Sequence, residues 1–474
     1  MRKGVNMVAL RLFEHNEKAY HAAVWMMEQY GKAAIVHPTG TGKSYIAFKL
    51  IEDNPEKVVI WLSPSEYIFK TQLESLKRND PDFSLANVHF YTYAKLMCCT
   101  EGQLAEIAGL QPSYIILDEF HRAGAECWGE STVALLKLCP EAKLLGLTAT
   151  NVRYLDNNRD MAEELFDSRV ASDMTLGEAI VRGILPAPNY VTTVYQYQKD
   201  LARYQTRVDN LHSPGIQDVN QKYLDALRRA LEQADGLDRV FAHHITNKCG
   251  KYIVFCASKE HMDEMIAQVS EWFAAIDTKP TVYKALSDDP ATDKAFAAFK
   301  ADTSTHLKLL FCIDMLNEGV HVEGISGVIL FRPTISPIIY KQQIGRALTA
   351  GDSATPLILD VVNNFQGLSS ISGLQNEMAA AVQRLYANGE GDKIVTEWFE
   401  VVEQVHDCRV LFEQLQASLS SSWEHYFSEA SIYYAEHGNL NVPKLYTIPS
   451  GLSLGVWLVT QRRVREGQTQ GNLT

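Results

Sequence analysis

The sequence of 474 residues lacks the patterns that mark zinc modules, exported proteins and membrane proteins. Its eight cysteines form no CxxC pair and no cysteine–histidine spacing typical of a zinc site, so we interpret them as reduced thiols. No apolar run approaches the length of a bilayer span, and Arg11 and Glu14 interrupt any signal-peptide core. We therefore expect a cytoplasmic protein that contacts no membrane.

An excess of positive charge is also absent. The chain carries 44 lysines and arginines against 57 aspartates and glutamates, a formal net charge of −13. This balance argues against a protein that coats a polyanion through bulk attraction, so a nucleic acid would have to bind in a local, salt-sensitive basic channel. The apolar content of 46% is ordinary, and the length is sufficient for two or three domains.

A glycine-rich segment, HPTGTGKS from His37 to Ser44, lies between an apolar run at Ala33–Val36 and an amphipathic stretch that contains Ile46 and Leu50. This is the position at which a P-loop turns from a strand into a helix. The general pattern has glycine where this chain has His37. The alternative is a glycine-rich turn that merely exposes a lysine, and the strand and helix flanks disfavour it.

In a P-loop, glycines allow successive backbone N–H groups to point at phosphate oxygens. Lys43 would reach the β- and γ-phosphates, and the hydroxyl of Ser44 would ligate magnesium. The loop residues that would hold the phosphates are Thr39, Gly40, Thr41, Gly42, Lys43 and Ser44.

A second segment, YIILDEFHR from Tyr114 to Arg122, places two acids directly after an apolar strand. Ligands of open α/β sheets bind at the carboxyl ends of the strands. Asp118 suits the outer shell of a magnesium ion, and Glu119 can polarise an attacking water as a general base. A solvated turn is the alternative for adjacent acids, but the preceding strand argues against it. The two segments together predict an ATPase.

Two series of short apolar runs alternate with helical patterns, one from Ala33 to about Pro186 and one from Tyr252 to Val361. Each series predicts a parallel sheet with crossover helices. Between them, apolar residues at helical spacing predict two helices separated near Pro214, which either brace the domain or touch a substrate. After about Asn364 the chain is helical to Leu419, apart from a break near 388–391.

The order of these motifs resembles a superfamily 2 DExH helicase of bacterial or phage type. Pro38–Ser44 is similar to motif I, Asp118–His121 to motif II and Leu147–Thr150 to motif III. Further segments resemble motif Ia at Ser63 and Pro64, motif IV at Tyr252–Ser258, motif V at Asp314–Gly319 and motif VI at Tyr340–Thr349.

The resemblance implies roles for residues outside the first two motifs. Asn16 replaces the glutamine that recognises adenine, and its shorter amide has less reach. Arg346 is the expected arginine finger, with Gln342 near the γ-phosphate or its water. The motifs that would couple nucleotide to nucleic acid contribute His121, Thr148, Thr150 and Gly319.

Other expected contacts involve nucleic acid. Ser63, Pro64 and Thr92 are candidates for gripping its backbone, although a plain loop role is an equal alternative for Thr92. Two departures from the family pattern are Thr349, where a second arginine is common, and His321, where aspartate is common. They predict slower turnover or compensation by another basic residue.

The segment Trp423–Arg463 resembles a helicase-associated domain, with a core formed by Trp423, Phe427, Tyr434, Leu440, Val442, Leu454 and Trp457. Arg462 and Arg463 could meet phosphates. We expect the repeat to be cut short at Thr474, as in a piece of a longer protein. The predicted fold is α/β: two tandem RecA-like parallel-sheet domains at 1–185 and 186–368, with a helical insertion at about 198–247, a helical linker at 369–420 and a small α-helical module at 421–474.

The resemblance predicts a nucleic-acid-dependent ATPase that uses ATP and Mg²⁺ and, as a monomer, translocates on and unwinds nucleic acid, with DNA favoured over RNA. Two alternatives remain open. One is a duplex translocase that remodels bound proteins without separating strands. The other is an ATP-gated nucleic-acid-binding module whose hydrolysis is weak.

Overall fold

The structure is a computed structural model, and it divides into two compact units. It describes residues 10–124, 126–150, 152–153, 159–195, 197–209, 211, 214–233, 236–286, 289, 291–313, 324–331, 337–350, 355–362, 370–399, 401–403, 406–444, 446 and 453–465. The large unit comprises Met1–Val191, Phe241–Asp360 and Ser370–Val402. The small unit comprises Thr192–Val240, Val361–Ser369 and Glu403–Thr474.

The first half of the large unit is built on a six-stranded sheet. Its strands are β1 (Lys32–Val36), β2 (Val59–Ser63), β3 (Val88–Thr92), β4 (Tyr114–Asp118), β5 (Lys143–Thr148) and β8 (Val170–Asp173). A separate antiparallel pair is formed by β6 (Val152–Arg153) and β7 (Arg159–Asp160). The order is β3-β2-β4-β5-β1-β8, and the paired strands are parallel. Continuous apolar runs form these strands because helices cover both faces of a parallel sheet.

The helices of this half follow the strands as crossovers. They are α1 (Glu14–Tyr30), α2 (Ser44–Asp53), α3 (Glu66–Asn79), α4 (Tyr93–Met97), α5 (Glu101–Ala108), α6 (Glu126–Leu138), α7 (Met161–Phe166) and α8 (Leu176–Val181), with a 3-10 helix at Phe120–Gly124. The carboxyl ends of β1, β2, β4 and β5 lie at one edge of the sheet because these strands are parallel. The glycine-rich segment that starts at His37 follows β1 at this edge, and Glu119 follows β4.

The second half is built on a seven-stranded sheet in the order β11-β12-β10-β13-β14-β9-β15. Its strands are β9 (Asn189–Val194), β10 (Lys251–Phe255), β11 (Thr281–Ala285), β12 (Lys308–Cys312), β13 (Gly327–Leu330), β14 (Leu357–Val362) and β15 (Val401–Glu403). The remaining helices are α9 (Gln198–Asp209), α10 (Pro214–Gln233), α11 (Leu237–His244), α12 (Lys259–Trp272), α13 (Thr292–Ala301), α14 (Pro337–Ile344), α15 (Ser370–Ala387), α16 (His406–His437) and α17 (Leu454–Arg465), with a 3-10 helix at Gly391–Lys393. Two parallel-sheet α/β domains and a helical carboxyl-terminal region confirm the predicted fold class.

The first sheet ends earlier in the chain than the expected boundary at 185. The helix α8 follows β8 directly, yet its residues Leu176 and Val181 belong to the apolar core of the second sheet, together with Ile253 and Ile358. They also pack against Leu374 on α15. The chain therefore changes domain between Asp173 and Met174, because a helix belongs to the sheet that covers its apolar face and not to its neighbour in sequence.

The expected linker at 369–420 is divided between the two units. The helix α15 joins the second core of the large unit, whereas α16 is one helix of 32 residues that crosses the expected boundary at 420. In the small unit α9 and α10, which match the two predicted insertion helices, share a core with the first half of α16. The boundary between the units falls within α11, which was expected within the insertion, and in its second half Phe241 belongs to the large unit and stacks on Phe273 with ring centroids 4.8 Å apart.

The core of the carboxyl-terminal module matches the predicted one in part, since Val442 and Leu454 are buried as expected. Its buried residues are Tyr426, Ala430, Tyr433, Val442, Leu454 and Leu458. Phe427 and Tyr434, which we expected inside, are 54% and 56% exposed, because the buried stripe of α16 follows the positions 426, 430 and 433. Leu440 and Trp457 pack at the margin of this core, and Trp423 stacks on Phe427.

Two absences hold for the part of the chain that the structure describes. Each described cysteine is a free thiol. Within the same residues, none of the helices combines the length and the apolar character that crossing a membrane would require.

Candidate functional site

The loop between β1 and α2 depends on two glycines. Gly40 has φ +87° and Gly42 has φ +77°, in the left-handed region that favours glycine. Gly40 is restricted further, because a Cβ added there would lie 2.0 Å from the carbonyl oxygen of Leu348 in the second domain. The backbone N–H of Ala350 donates to the carbonyl of Gly40 at 2.9 Å. The P-loop therefore touches the segment that follows α14.

The same loop is anchored by α1. The carbonyl of Thr41 accepts hydrogen bonds from Asn16 Nδ2 and from His15 Nε2, each at 2.8 Å. A carbonyl cannot donate, so His15 carries its proton on Nε2. One N–H of the Asn16 amide thus holds the loop, and its buried Oδ1 has no hydrogen-bond partner among the described residues.

His37, which replaces the glycine of the general pattern, contacts two neighbouring strands of the sheet, β5 and β8. Its Nε2 lies 2.8 Å from the hydroxyl of Ser172 on β8, and its backbone N–H donates to the carbonyl of Thr148. Burial lowers the pKa of His37 to about 3, and the nearby His15 and Lys43 act in the same direction. The imidazole is therefore neutral at physiological pH and adds no charge to the loop.

The acidic segment lies where the sequence predicts it, at the carboxyl end of β4. Glu119 follows the strand with φ +49°, and its Oε1 lies 3.1 Å from the ammonium of Lys43. Both side chains are buried. Burial acts to raise the pKa of Glu119, but Lys43 and then His121 outweigh it and hold that pKa below its ordinary value. Glu119 is therefore ionised and aligned with the P-loop lysine.

Asp118 is held from two sides. The phenol of Tyr93 donates to its backbone carbonyl at 2.9 Å, and Gln72 Nε2 on α3 donates to its Oδ2 at 3.1 Å. Burial, followed by the charge of Glu119, raises the pKa of the Asp118 carboxyl. Oδ1 is buried and has no hydrogen-bond partner among the described residues. A buried carboxylate oxygen without a partner requires an explanation.

These groups fit a magnesium ion. Mg²⁺ prefers oxygen donors, keeps several of its waters and takes only one or two carboxylates. The oxygen donors at hand are the Ser44 hydroxyl and the unpartnered Oδ1 of Asp118. No group of three or more histidine, cysteine and acid side chains that could hold a metal ion occurs among the described residues.

A hydrogen-bond network joins the acidic segment to the end of β5. The hydroxyl of Thr148 donates to the carbonyl of Thr150 at 2.7 Å and lies 2.8 Å from His121 Nδ1. Because this hydroxyl has one proton, His121 is the donor in the second contact. Oε2 of Glu119 lies 3.4 Å from the Thr148 hydroxyl and 3.5 Å from His121. Two of the predicted coupling residues, His121 and Thr148, therefore lie against the carboxylate of the general-base candidate, and Thr150 is joined to it through Thr148.

A cavity of about 510 Å³ brings part of the predicted set together across the two α/β domains of the large unit, and Asp118 and Thr41 are not among its lining residues. It is lined by Thr39, Gly40, Gly42, Lys43, Ser44, Asn16, Glu119, Arg346 and Thr349, together with Arg11, Leu12, Phe13, Tyr45, Phe48, Thr71, Gln72, Ser75 and Ala350. Gln342 is buried and lines a neighbouring cavity of about 230 Å³ with Thr39 and Thr150. Arg11 and Gln72 are lining residues that the sequence reasoning missed, and no local motif marks them.

The residues expected to contact nucleic acid differ in accessibility. Ser63 is completely buried, so its hydroxyl is not available to a nucleic-acid backbone in this conformation. Thr92 is the N-cap of α4, and its hydroxyl accepts a hydrogen bond from the backbone N–H of Lys95, which is a structural role within the loop. Pro64 is half-buried. Gly319 and His321, with the motif V segment, lie outside the described residues.

In the small unit, Arg462 and Arg463 of α17, the two arginines expected to meet phosphates, differ from each other. Arg462 donates to the carbonyl of Leu440 at 2.6 Å, which ties α17 to the preceding loop. Arg463 is exposed on the same helix. A ligand that binds Arg462 would therefore compete with the Leu440 carbonyl, whereas the exposed Arg463 makes no such described hydrogen bond.

Three family models match the chain in order. "Type III restriction enzyme, res subunit" matches residues 9–153, "Helicase conserved C-terminal domain" matches 233–351, and "Helicase associated domain" matches 420–474. Together they cover both α/β domains and the carboxyl-terminal module. Comparison with curated protein sequences gives no match.

Several solved structures are similar to this chain, and one of them, with a TM-score above 0.5, shares its fold. The restriction-modification enzyme LlaBIII bound to DNA is 15% identical with a TM-score of 0.53 over 86% of this chain, which spans a third (33%) of that enzyme. S. cerevisiae Dbp5 bound to RNA and ADP BeF3 is 14% identical with a TM-score of 0.48, covering 86% of this chain and 98% of Dbp5. Escherichia coli HrpB is 14% identical with a TM-score of 0.49, covering 77% and 46%.

Proposed function

Because the chain belongs to the superfamily 2 helicases and carries a helicase-associated domain, we propose that it is a nucleic-acid-dependent ATPase that translocates on DNA and unwinds it. The observation that carries this proposal is the single cavity lined by Lys43, Glu119 and Arg346. Lys43 and Glu119 come from the first α/β domain, and Arg346 comes from the second. A cavity of this size accommodates a nucleotide.

In this proposal the first domain binds and activates ATP. The backbone from Thr39 to Gly42 holds the phosphates, Lys43 neutralises their charge, and Ser44 and Asp118 hold Mg²⁺. The ion, when bound, neutralises charge on the β- and γ-phosphates. Glu119 accepts a proton from the attacking water, which its ionised state permits.

The second domain completes the site. Arg346 supplies a guanidinium that stabilises charge on the transferring phosphoryl group, and Gln342 acts beside it. Phe13 and Tyr45 offer aromatic faces at the cavity wall, and the buried Oδ1 of Asn16 is the acceptor that remains for the base. Binding of ATP would thus stabilise contact between the two domains, and hydrolysis would weaken it.

Coupling to nucleic acid follows from the network around Glu119. His121 and Thr148 contact its carboxylate, and Thr148 also holds the carbonyl of Thr150 in the loop that leaves β5. A change at the γ-phosphate therefore has a direct route to that loop. The net charge of −13 requires a local basic surface for the strand, and Arg463 on α17 is a candidate contact.

DNA is favoured over RNA because the family model that matches residues 9–153 describes a restriction enzyme subunit and the restriction-modification enzyme LlaBIII, which shares the fold, is bound to DNA. A second candidate function is an ATP-gated binding module. It is favoured by Thr349, which lines the cavity where the family commonly has a second arginine. Turnover that is insensitive to Glu119→Gln, combined with tight ATP binding, would select this candidate.

The decisive experiment measures ATP hydrolysis against single-stranded DNA, duplex DNA and RNA at several salt concentrations. We expect DNA to raise the rate and increasing salt to reduce that stimulation. Absence of stimulation by every nucleic acid would refute the proposal. Strand-displacement and triplex-displacement assays then distinguish unwinding from translocation on duplex without strand separation.

A further inference from the structure

Gln72 interrupts the buried face of α3. Ile68, Gln72 and Leu76 are spaced four residues apart, so they share one face of the helix, and both apolar members are buried. An amide in the middle of such a stripe is costly unless its polar atoms find partners. Its position therefore calls for a reason beyond packing.

Among the described residues, the hydrogen-bond partner of the Gln72 side chain is Asp118. Its Nε2 donates to Asp118 Oδ2 at 3.1 Å, whereas its buried Oε1 has no hydrogen-bond partner among the described residues. An ionised carboxylate offers only acceptors, so the amide nitrogen and not the oxygen must face it. This contact fixes both the orientation of the amide and the rotation of the carboxylate.

The consequence for Asp118 is that its two oxygens become different. Oδ2 is engaged by Gln72, and Tyr93 holds the backbone carbonyl of the same residue, which leaves Oδ1 buried and without a described partner. Gln72 also lines the cavity that contains Ser44. Groups that orient a metal-binding carboxylate in this way commonly change metal affinity when they are removed.

We propose that Gln72 is a positioning residue that holds the Asp118 carboxylate with Oδ1 directed to magnesium, so that it sets the affinity of the site for magnesium-bound nucleotide. This inference rests on the proposed ATPase function. It assigns Gln72 no contact with the reacting atoms. A purely structural amide would instead affect stability and nucleotide binding equally with and without magnesium.

The test uses the full chain with Gln72→Met, which retains the length of the side chain and removes the donor. Gln268→Met on α12 is the matched control, because this glutamine is also half-buried on a helix but lies outside the cavity. Binding of a fluorescent, non-hydrolysable ATP analogue is titrated with magnesium and again in EDTA, and unfolding temperatures are recorded under the same conditions.

We expect the magnesium concentration for half-maximal binding to rise about 10-fold or more in Gln72→Met, with unchanged binding in EDTA. Magnesium should also raise the unfolding temperature of the nucleotide complex less than it does in the wild type. Gln268→Met should match the wild type in both measurements. A magnesium requirement within twofold of the wild type, or equal weakening with and without the metal, would overturn the proposal.

A second variant separates folding from positioning. Gln72→Asn keeps the amide but shortens its reach by one methylene, and we expect the same increase in the magnesium requirement. If neither variant folds, Gln72 is a structural residue and the positioning role is wrong. If the wild type itself binds no nucleotide, the proposed function fails first, so the two failures are distinguishable.

Discussion

The ammonium of Lys43 lies 3.1 Å from a carboxylate oxygen of Glu119, and both groups are buried at the carboxyl edge of the first sheet. The two side chains that we propose to serve phosphate and water therefore neutralise each other in this structure. Phosphate oxygens must compete with Glu119 for Lys43 when a nucleotide binds. Before a nucleotide binds, the ion pair keeps the side chains of Lys43 and Glu119 in position.

Replacing Glu119 by glutamine tests this relationship. Glu119→Gln retains the shape of the side chain but removes the base, so hydrolysis should fall about 10²- to 10⁴-fold. Binding of ATP should be no weaker, because Lys43 no longer has a competing carboxylate. Single-turnover hydrolysis and equilibrium binding of a fluorescent ATP analogue measure the two effects. Glu130→Gln, at an exposed position of α6, is the control, and a rate near that of the wild type would contradict the assignment.

Arg346→Ala addresses the contribution of the second domain. Nucleotide binding should survive, while hydrolysis at saturating ATP should fall by about 10³-fold, the lower end of the effect of an arginine finger. Arg78→Ala, at an exposed position of α3, should leave both quantities unchanged. A loss of nucleotide affinity with normal turnover at saturation would mean that Arg346 binds ground-state ATP instead.

Gly40→Ala tests the contact between the P-loop and the segment after α14. The added methyl group would meet the carbonyl oxygen of Leu348 and would also be strained by the left-handed backbone. Gly31→Ala is a matched control, since Gly31 has φ +75° but open space around it. We expect about 1–2 kcal/mol of destabilisation from the backbone strain in both. Only Gly40→Ala should also weaken ATP binding, by about tenfold or more; equal binding in the two variants would argue against a functional contact.

The neutral, buried His37 should make the protein sensitive to acid. Its pKa is about 3 in the folded chain and about 6.5 when unfolded, so below pH 6.5 only the unfolded chain takes up the proton. Folding stability should therefore be unaffected above pH 6.5 and should fall by about 2 kcal/mol at pH 5 through this residue alone. Denaturant unfolding at pH 7 and pH 5 should show a smaller loss for His37→Gln, with exposed His21→Gln as control. An identical loss in wild type and His37→Gln would exclude this origin.

The P-loop and the acidic segment could be located from the sequence because their signals are local. An apolar strand, a loop with glycines and an amphipathic helix are adjacent in the chain, so the sequence predicts that Lys43 and Glu119 lie at one edge of the sheet. By contrast, α8 follows the first sheet in sequence but packs on the second, and nothing in its own pattern indicates which sheet covers it. The same limit applies to Phe427 and Tyr434, because the buried stripe of α16 is selected by its neighbours.

Periodicity and glycine spacing act over a few residues, so they predict two parallel-sheet α/β domains and a helical carboxyl-terminal module, and they indicate the motif residues. The assembled fold alone shows that Arg346 shares a cavity with Lys43, that the Asn16 amide donates to Thr41, and that Gln72 donates to Asp118. Gln72 and Asp118 are separated by 46 positions. Such contacts arise when strands and helices assemble, and no local pattern encodes them.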